Sequence, residues 1–240
     1  MKIHVLTTKA DIEKEKLDDK IVIVLDILFA TTSIVAAMAN GCHEVIPSPD
    51  SENALLKSKL PEYEGYLLSG ELNAETLDGF IHPTPLALIS SGIRDNGLIY
   101  CTTNGTVALH EAKQAKFAYA GSLLNGEALV QHILKNHTNS TVLIVCSGSQ
   151  NKFNLEDFYG AGQLIDLFKK NSTSEINLTD SALASLQVYK SDSPYKILKQ
   201  SRVGQMMLKK KLDHEIKFAA QENIYTVIPK LNLFGNLKVD

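Results

Sequence analysis

Seven short apolar runs, each closed by a small or polar loop that opens into a longer segment of helical periodicity, constrain the fold of this chain more than any other feature. They are Ile3 to Leu6, Ile21 to Leu25, Glu44 to Ile46, Gly65 to Leu68, Leu98 to Cys101, Phe117 to Ala120 and Thr141 to Cys146. Their continuous Val, Ile and Leu content, without regular polar alternation, marks strands covered on both faces. Helical periodicity follows at Thr32 to Ala39, Ser51 to Lys59, Val107 to Gln114, Gly126 to Lys135, Leu155 to Lys169, Asp180 to Tyr189 and Ser201 to Leu208. Gly41 stands where a left-handed C-cap is expected after the first of these helices. Alternating strands and helices predict an α/β fold, three-layer α/β/α with a largely parallel or mixed central sheet. In such sheets ligands sit at the carboxyl ends of the strands.

The 240 residues suit a single α/β domain over 1–240, or two fused half-domains with a polar loop near 171–178. The formal net charge is -3, with Lys and Arg scattered apart from Lys209 to Lys211, so nucleic acid is not an expected partner. The longest strongly apolar run, Ile21 to Leu25, falls far short of the ~20 residues of a membrane helix. Met1 to Lys9 lacks the apolar stretch of a secretory signal, which predicts a cytoplasmic protein. Cys42, Cys101 and Cys146 are widely spaced in apolar segments and read as reduced, packed thiols. A homodimer is expected from the general habit of compact α/β enzymes.

The polar chemistry collects in the loops after the strands. Asp26 ends one strand, where a carboxylate suits a hard cation such as Mg²⁺. Thr31, Thr32 and Ser33 then open a helix, where their hydroxyls and free N–H groups either face an anion or cap the helix. Thr102-Thr103-Asn104-Gly105-Thr106 is a hydroxyl-rich turn whose Asn-Gly path can form an anion-binding nest. Gly121-Ser122-Leu123-Leu124-Asn125 and Ser147-Gly148-Ser149-Gln150 open the next two helices and, with the others, make one polar edge. Phosphate is expected against Thr31, Thr32, Thr103, Asn104, Gly105, Ser122 and Asn125. Glu71 and either Glu156 or Asp157 are the carboxylates that can join Asp26. Asp157 also fits a capping-box variant with Asn154.

Several mechanisms lack the residues they need. Neither Cys101 nor Cys146 is followed by Arg six positions later, and Leu28 stands where an aspartyl-phosphate motif would place a second Asp. No G-x-G-x-x-G, Walker A or G-x-S-x-G string occurs, and no H-x-x-x-H pair.

Taken in order, Asp26-Ile27-Leu28-Phe29-Ala30-Thr31-Thr32, Gly70-Glu71, Gly79-Phe80, Thr102 to Thr106, Gly121 to Asn125 and Phe153-Asn154-Leu155-Glu156-Asp157 resemble the loops of the 2-phosphosulfolactate phosphatase family. The resemblance runs through most of the chain. It implies a three-layer α/β/α fold and Mg²⁺-dependent hydrolysis of (2R)-2-phospho-3-sulfolactate to 3-sulfolactate and phosphate, hence a small anionic phosphorylated substrate. The chain departs from the family pattern where Arg is usual, carrying Phe29, Leu72 and Gln205, and it has His82-Pro83-Thr84-Pro85 in place of Asn-Ser-Pro. Three readings follow: a phosphatase of the family's kind, a phosphatase for a less highly charged phosphoester, and a catalytically silent protein that binds a small anion or a partner.

Overall fold

The computed structural model describes residues 1–72, 75–137 and 140–240. Among the described residues eleven strands form one mixed sheet: β1 (Lys2–Leu6), β2 (Lys20–Leu25), β3 (Glu44–Ser48), β4 (Leu67–Leu72), β5 (Glu75–Thr76), β6 (Gly97–Cys101), β7 (Phe117–Gly121), β8 (Thr141–Cys146), β9 (Asn177–Leu178), β10 (Pro229–Leu231) and β11 (Leu237–Val239), in the order β5-β4-β6-β3-β11-β10-β7-β2-β8-β1-β9. The helices are α1 (Ala30–Ala39), α2 (Ser51–Ser58), α3 (Pro85–Ser90), α4 (Gly105–Glu111), α5 (Gly126–Asn136), α6 (Leu155–Asn171), α7 (Asp180–Ser191), α8 (Pro194–Gln200), α9 (Arg202–Lys209) and α10 (Asp213–Ala219).

Alternate residues of β2 show why helices cover both faces. Ile21, Ile23 and Leu25 enter one apolar cluster with Leu129, Leu164 and Phe168 of α5 and α6, whereas Val22 and Val24 enter another with Ile34, Ala37 and Leu109 of α1 and α4. That is the physical basis of the α/β layering: a strand hydrophobic at every position needs a partner layer on each side. Helix α1, with three hydroxyl residues in its first turn and an apolar stretch from Ile34, is buried from Ala30 to Met38. It stops as the sequence predicts, with Gly41 at φ +97 and two closing bonds, Gly41 N–H to the Met38 carbonyl and Cys42 N–H to the Ala37 carbonyl. All three cysteines are buried and free. Among the described residues no helix is long and apolar enough to cross a membrane.

The sheet consists of two parallel blocks. Strands β7, β2, β8, β1 and β9 form one, and β3, β6 and β4 form the other, inserted in the chain between α1 and β7. The C-terminal hairpin β10–β11 joins them, antiparallel to β7 through Lys230 and Tyr119 and antiparallel to β3 through Leu237 and Val45. The carboxyl-terminal loops of the two blocks meet because α1, after β2, and α4, after β6, share one apolar layer. The polar segment after α6 returns the chain to the sheet edge, where β9 pairs with β1. Leu237 is fully buried at the junction of the two blocks. Leu237→Ala should therefore cost about 2–5 kcal/mol, as large-to-small changes in a packed core do. Urea titration checks this, and a loss under about 0.5 kcal/mol would show that the hairpin is not needed to hold the blocks together.

Candidate active site

Four strands end around one cleft, a cavity of about 130 Å³ against the ~10–15 Å³ that a single water requires. Asp26, Leu28, Phe29 and Ala30 reach it after β2, Glu71 from β4, Thr102 to Asn104 after β6, and Ser149, Gln150 and Asn154 after β8; Arg202, Val203 and Met206 come from α9.

Asp26 is 7% exposed, and its Oδ1 accepts the Phe29 N–H at 2.9 Å. Burial raises its pKa to about 6, partly offset by the Phe29 N–H, and the charge of Glu71 pushes the same way as burial. Glu71, equally buried, accepts the Thr103 N–H on Oε1 at 2.7 Å, which ties β4 to the loop after β6. The close approach of that loop to Asp26 explains Gly105. A Cβ there would lie 2.3 Å from the Ala30 Cβ and 2.7 Å from Asp26 Oδ2. Gly105→Val should displace Asp26, costing about 1–3 kcal/mol of stability as overpacking does, and should weaken anion binding. Thermal melts with and without phosphate test this, and an unchanged phosphate-induced shift would separate Gly105 from the site.

Thr31 and Thr32 do not line the cleft. The Thr31 hydroxyl accepts the Asp26 N–H at 2.8 Å and lies 3.1 Å from the Asp26 carbonyl, and the Thr32 hydroxyl donates to the Ile27 carbonyl at 2.9 Å. Both are fully buried and satisfy the backbone of the Asp26 turn, whose polar groups burial withdraws from solvent. Ser33 likewise donates to the Pro83 carbonyl at 2.7 Å, where Tyr100 also donates at 2.6 Å, so the departing His82 to Pro85 segment is locked onto α1 and β6. Ser122 and Asn125 also lie away from the cleft. They bond each other across a tight turn, and the Asn125 amide donates to the Val227 carbonyl at 3.0 Å, pinning the segment that leads into β10.

Asp157 serves neither as a capping partner of Asn154 nor as a cleft-lining carboxylate. Its Oδ1 accepts the Ile27 N–H at 2.9 Å and its Oδ2 the Gly148 N–H at 3.1 Å, so it clamps the loops after β2 and β8. Burial first, then the neighbouring Asp26 and Glu156, hold its pKa well above the ordinary range. Glu156 is 1% exposed, and neither of its carboxylate oxygens has a hydrogen-bond partner. The nearby Ser201 hydroxyl is committed to the Leu198 carbonyl at 2.9 Å. Burial pushes Glu156 up to about 7.

Two cations reach the loops of the cleft, Lys9 and Arg202. Lys9, in the loop after β1, donates to Asn104 Oδ1 at 2.9 Å and to the Ser147 carbonyl at 3.3 Å. Arg202 Nη2 donates to Asn154 Oδ1 at 3.0 Å, and that oxygen also accepts the Ser149 hydroxyl. Nothing in the local sequence of Lys9 distinguishes it from other surface lysines. Gln150 and Asn151 adopt φ +51 and +56 in a tight turn closed by reciprocal Ser149 and Lys152 bonds, which holds Gln150 at the cleft. Among the described residues no group of three or more His, Cys, Asp or Glu encloses a metal position. The donor set instead suits a cation that keeps most of its water, with the carboxylates of Asp26 and Glu71 lining one cleft.

A two-sided sheet with its polar side chains gathered at strand ends is the architecture of α/β enzymes that act on small metabolites. The profile of the family described as 2-phosphosulpholactate phosphatase matches residues 6–233, and the chain belongs to that family. It is 32% identical over 234 residues to a Clostridium novyi protein named "Probable 2-phosphosulfolactate phosphatase", covering 97% of each chain. A Carboxydothermus hydrogenoformans protein of the same name is 35% identical over 235 residues, covering 97% of this chain and 94% of its own. One from Caldicellulosiruptor saccharolyticus is 32% identical over 246 residues, covering 100% and 99%.

Proposed function

We propose that the protein is a Mg²⁺-dependent phosphomonoester hydrolase of the 2-phosphosulfolactate phosphatase type, releasing phosphate from the ester of a small acidic metabolite. The observation that carries this reading is the buried Asp26 beside Glu71, set against the Thr103–Asn104 loop in one cleft. Asp26, with Glu71, would hold Mg²⁺, which when bound polarises the phosphoryl oxygen and offsets its developing charge. Glu71 fixes the Thr103 backbone. Lys9 turns the Asn104 carbonyl oxygen toward itself, which leaves the Asn104 amide hydrogens as donors for a phosphoryl oxygen. Asp157 clamps the two loops that border Asp26. The enzyme would work in the cytoplasm, as a homodimer.

Phosphate release from a panel of phosphomonoesters that includes 2-phosphosulfolactate, in Mg²⁺ and in EDTA, tests the reading; turnover abolished by EDTA is the expected result. A second reading is favoured by Phe29, Leu72 and Gln205. Leu72 is 58% exposed and Gln205 donates to the Lys199 carbonyl at 2.7 Å, so neither supplies a cation to the cleft. On that reading the protein binds a small anion without chemistry, and a thermal shift with phosphate but no turnover on the panel would establish it.

A further inference from the structure

The cleft joins its polar residues to an apolar wall. Leu28 and Phe29 follow Asp26, and Val203 and Met206 of α9 complete the lining. Gln205, on the same helix, is drawn off to the end of α8. Arg202 stands one helical turn before it and is the cation α9 brings to the cleft. The bond from Nη2 to Asn154 orients its guanidinium, and Ser149 braces Asn154 in turn. Among the described residues no carboxylate forms an ion pair with Arg202. Its remaining donors keep the planar fork that matches a carboxylate.

Resting on the phosphatase reading above, we infer that this cleft selects a phosphomonoester with one further carboxylate and a hydrocarbon side chain, Arg202 binding the carboxylate and Phe29 with Met206 covering the hydrocarbon. A sulfonate in the position of that side chain would lose its water against Phe29 and Met206 without a charged partner, and burying an unpaired charge is strongly unfavourable. Arg202 gives the carboxylate a charged partner, whereas Phe29 and Met206 give a sulfonate none. Arg202 acts here as a specificity-determining residue.

The test compares kcat/KM in saturating Mg²⁺ for 2-phosphosulfolactate, 2-phospholactate, the phosphate ester of 2-hydroxy-4-methylpentanoate, and phenyl phosphate, which carries no carboxylate. The methylpentanoate ester should exceed 2-phosphosulfolactate by at least tenfold. Arg202→Gln should raise KM for the carboxylated esters by at least tenfold with little change in kcat, narrowing their advantage over phenyl phosphate by a similar factor, and Arg202→Lys should restore part of it. Phe29→Arg should reverse the preference toward the sulfonate. A native preference for 2-phosphosulfolactate, or an equal effect of Arg202→Gln on all four esters, would overturn the inference while leaving the phosphatase reading standing. No phosphate from any ester would defeat both.

Discussion

Asp26→Asn should lose Mg²⁺ binding by calorimetry and release phosphate about three orders of magnitude more slowly, while melting at the same temperature or higher. The amide keeps an oxygen for the Phe29 N–H but removes the charge a hard cation requires. A metal stabilises the charge of a phosphoryl transition state by several kcal/mol, at about 1.4 kcal/mol per decade of rate. Stability moves the other way because burial makes the Asp26 charge costly in the metal-free protein. Its folded pKa lies above the ordinary value, so the stability it contributes is present at low pH and lost as pH rises through about 6. Protonation competes with the cation for the same carboxylate. Mg²⁺ affinity in the native protein should therefore fall as pH drops through about 6, and saturating metal should carry the fall to lower pH. Unchanged Mg²⁺ affinity in the variant would remove Asp26 from the metal role.

Glu156→Gln should stabilise the protein at pH 8 by up to about 3 kcal/mol. The native side chain is raised from 4.5 to about 7 by burial, offset in part by the nearby Ser201 hydroxyl and the Arg202 charge, and neither carboxylate oxygen makes a well-formed hydrogen bond. A raised pKa means that the neutral acid is tolerated and the ion is not. Stability is then complete below the unfolded pKa and declines as pH rises through the folded one. The raised pKa sets an upper bound of about 3 kcal/mol, and the melting temperature should rise by several degrees. The amide has donors of its own to satisfy, which trims the gain. Native melting temperature should decline between pH 4.5 and 8, with the decline reduced in the variant. Parallel profiles would mean that Glu156 finds a partner in solution. Together the two carboxylates set opposing demands: Asp26 must ionise to hold a cation, and Glu156 stabilises the fold only while neutral.

The parts of this molecule that were legible in the sequence are those governed by local chemistry. Val, Ile and Leu runs such as Ile21 to Leu25 specify strands buried on both faces, and Gly41 specifies the end of α1, because each depends on a residue and its near neighbours. Asp26 was legible for the same reason, as a carboxylate placed directly after an apolar strand. The C-terminal hairpin was not. Its strands Pro229–Leu231 and Leu237–Val239 are three residues long and interleave Lys230 and Lys238 with their apolar residues, so no apolar run announces them, and only their insertion between β7 and β3 makes them strands. Hydroxyl-rich loops predict polar work without saying what receives it: Thr31 and Thr32 turn to the backbone, Asn125 to the Val227 carbonyl, and Asp157 to two N–H groups from separate loops. Lys9 and Arg202, distant in sequence from Asn104 and Asn154, join them only when the loops after β1, β6 and β8 and the start of α9 are packed around one cleft. Composition and periodicity determine which segments are strands and helices; which side chains face a ligand is decided by the tertiary structure, because every buried polar group must first find a partner among neighbours that local sequence does not name.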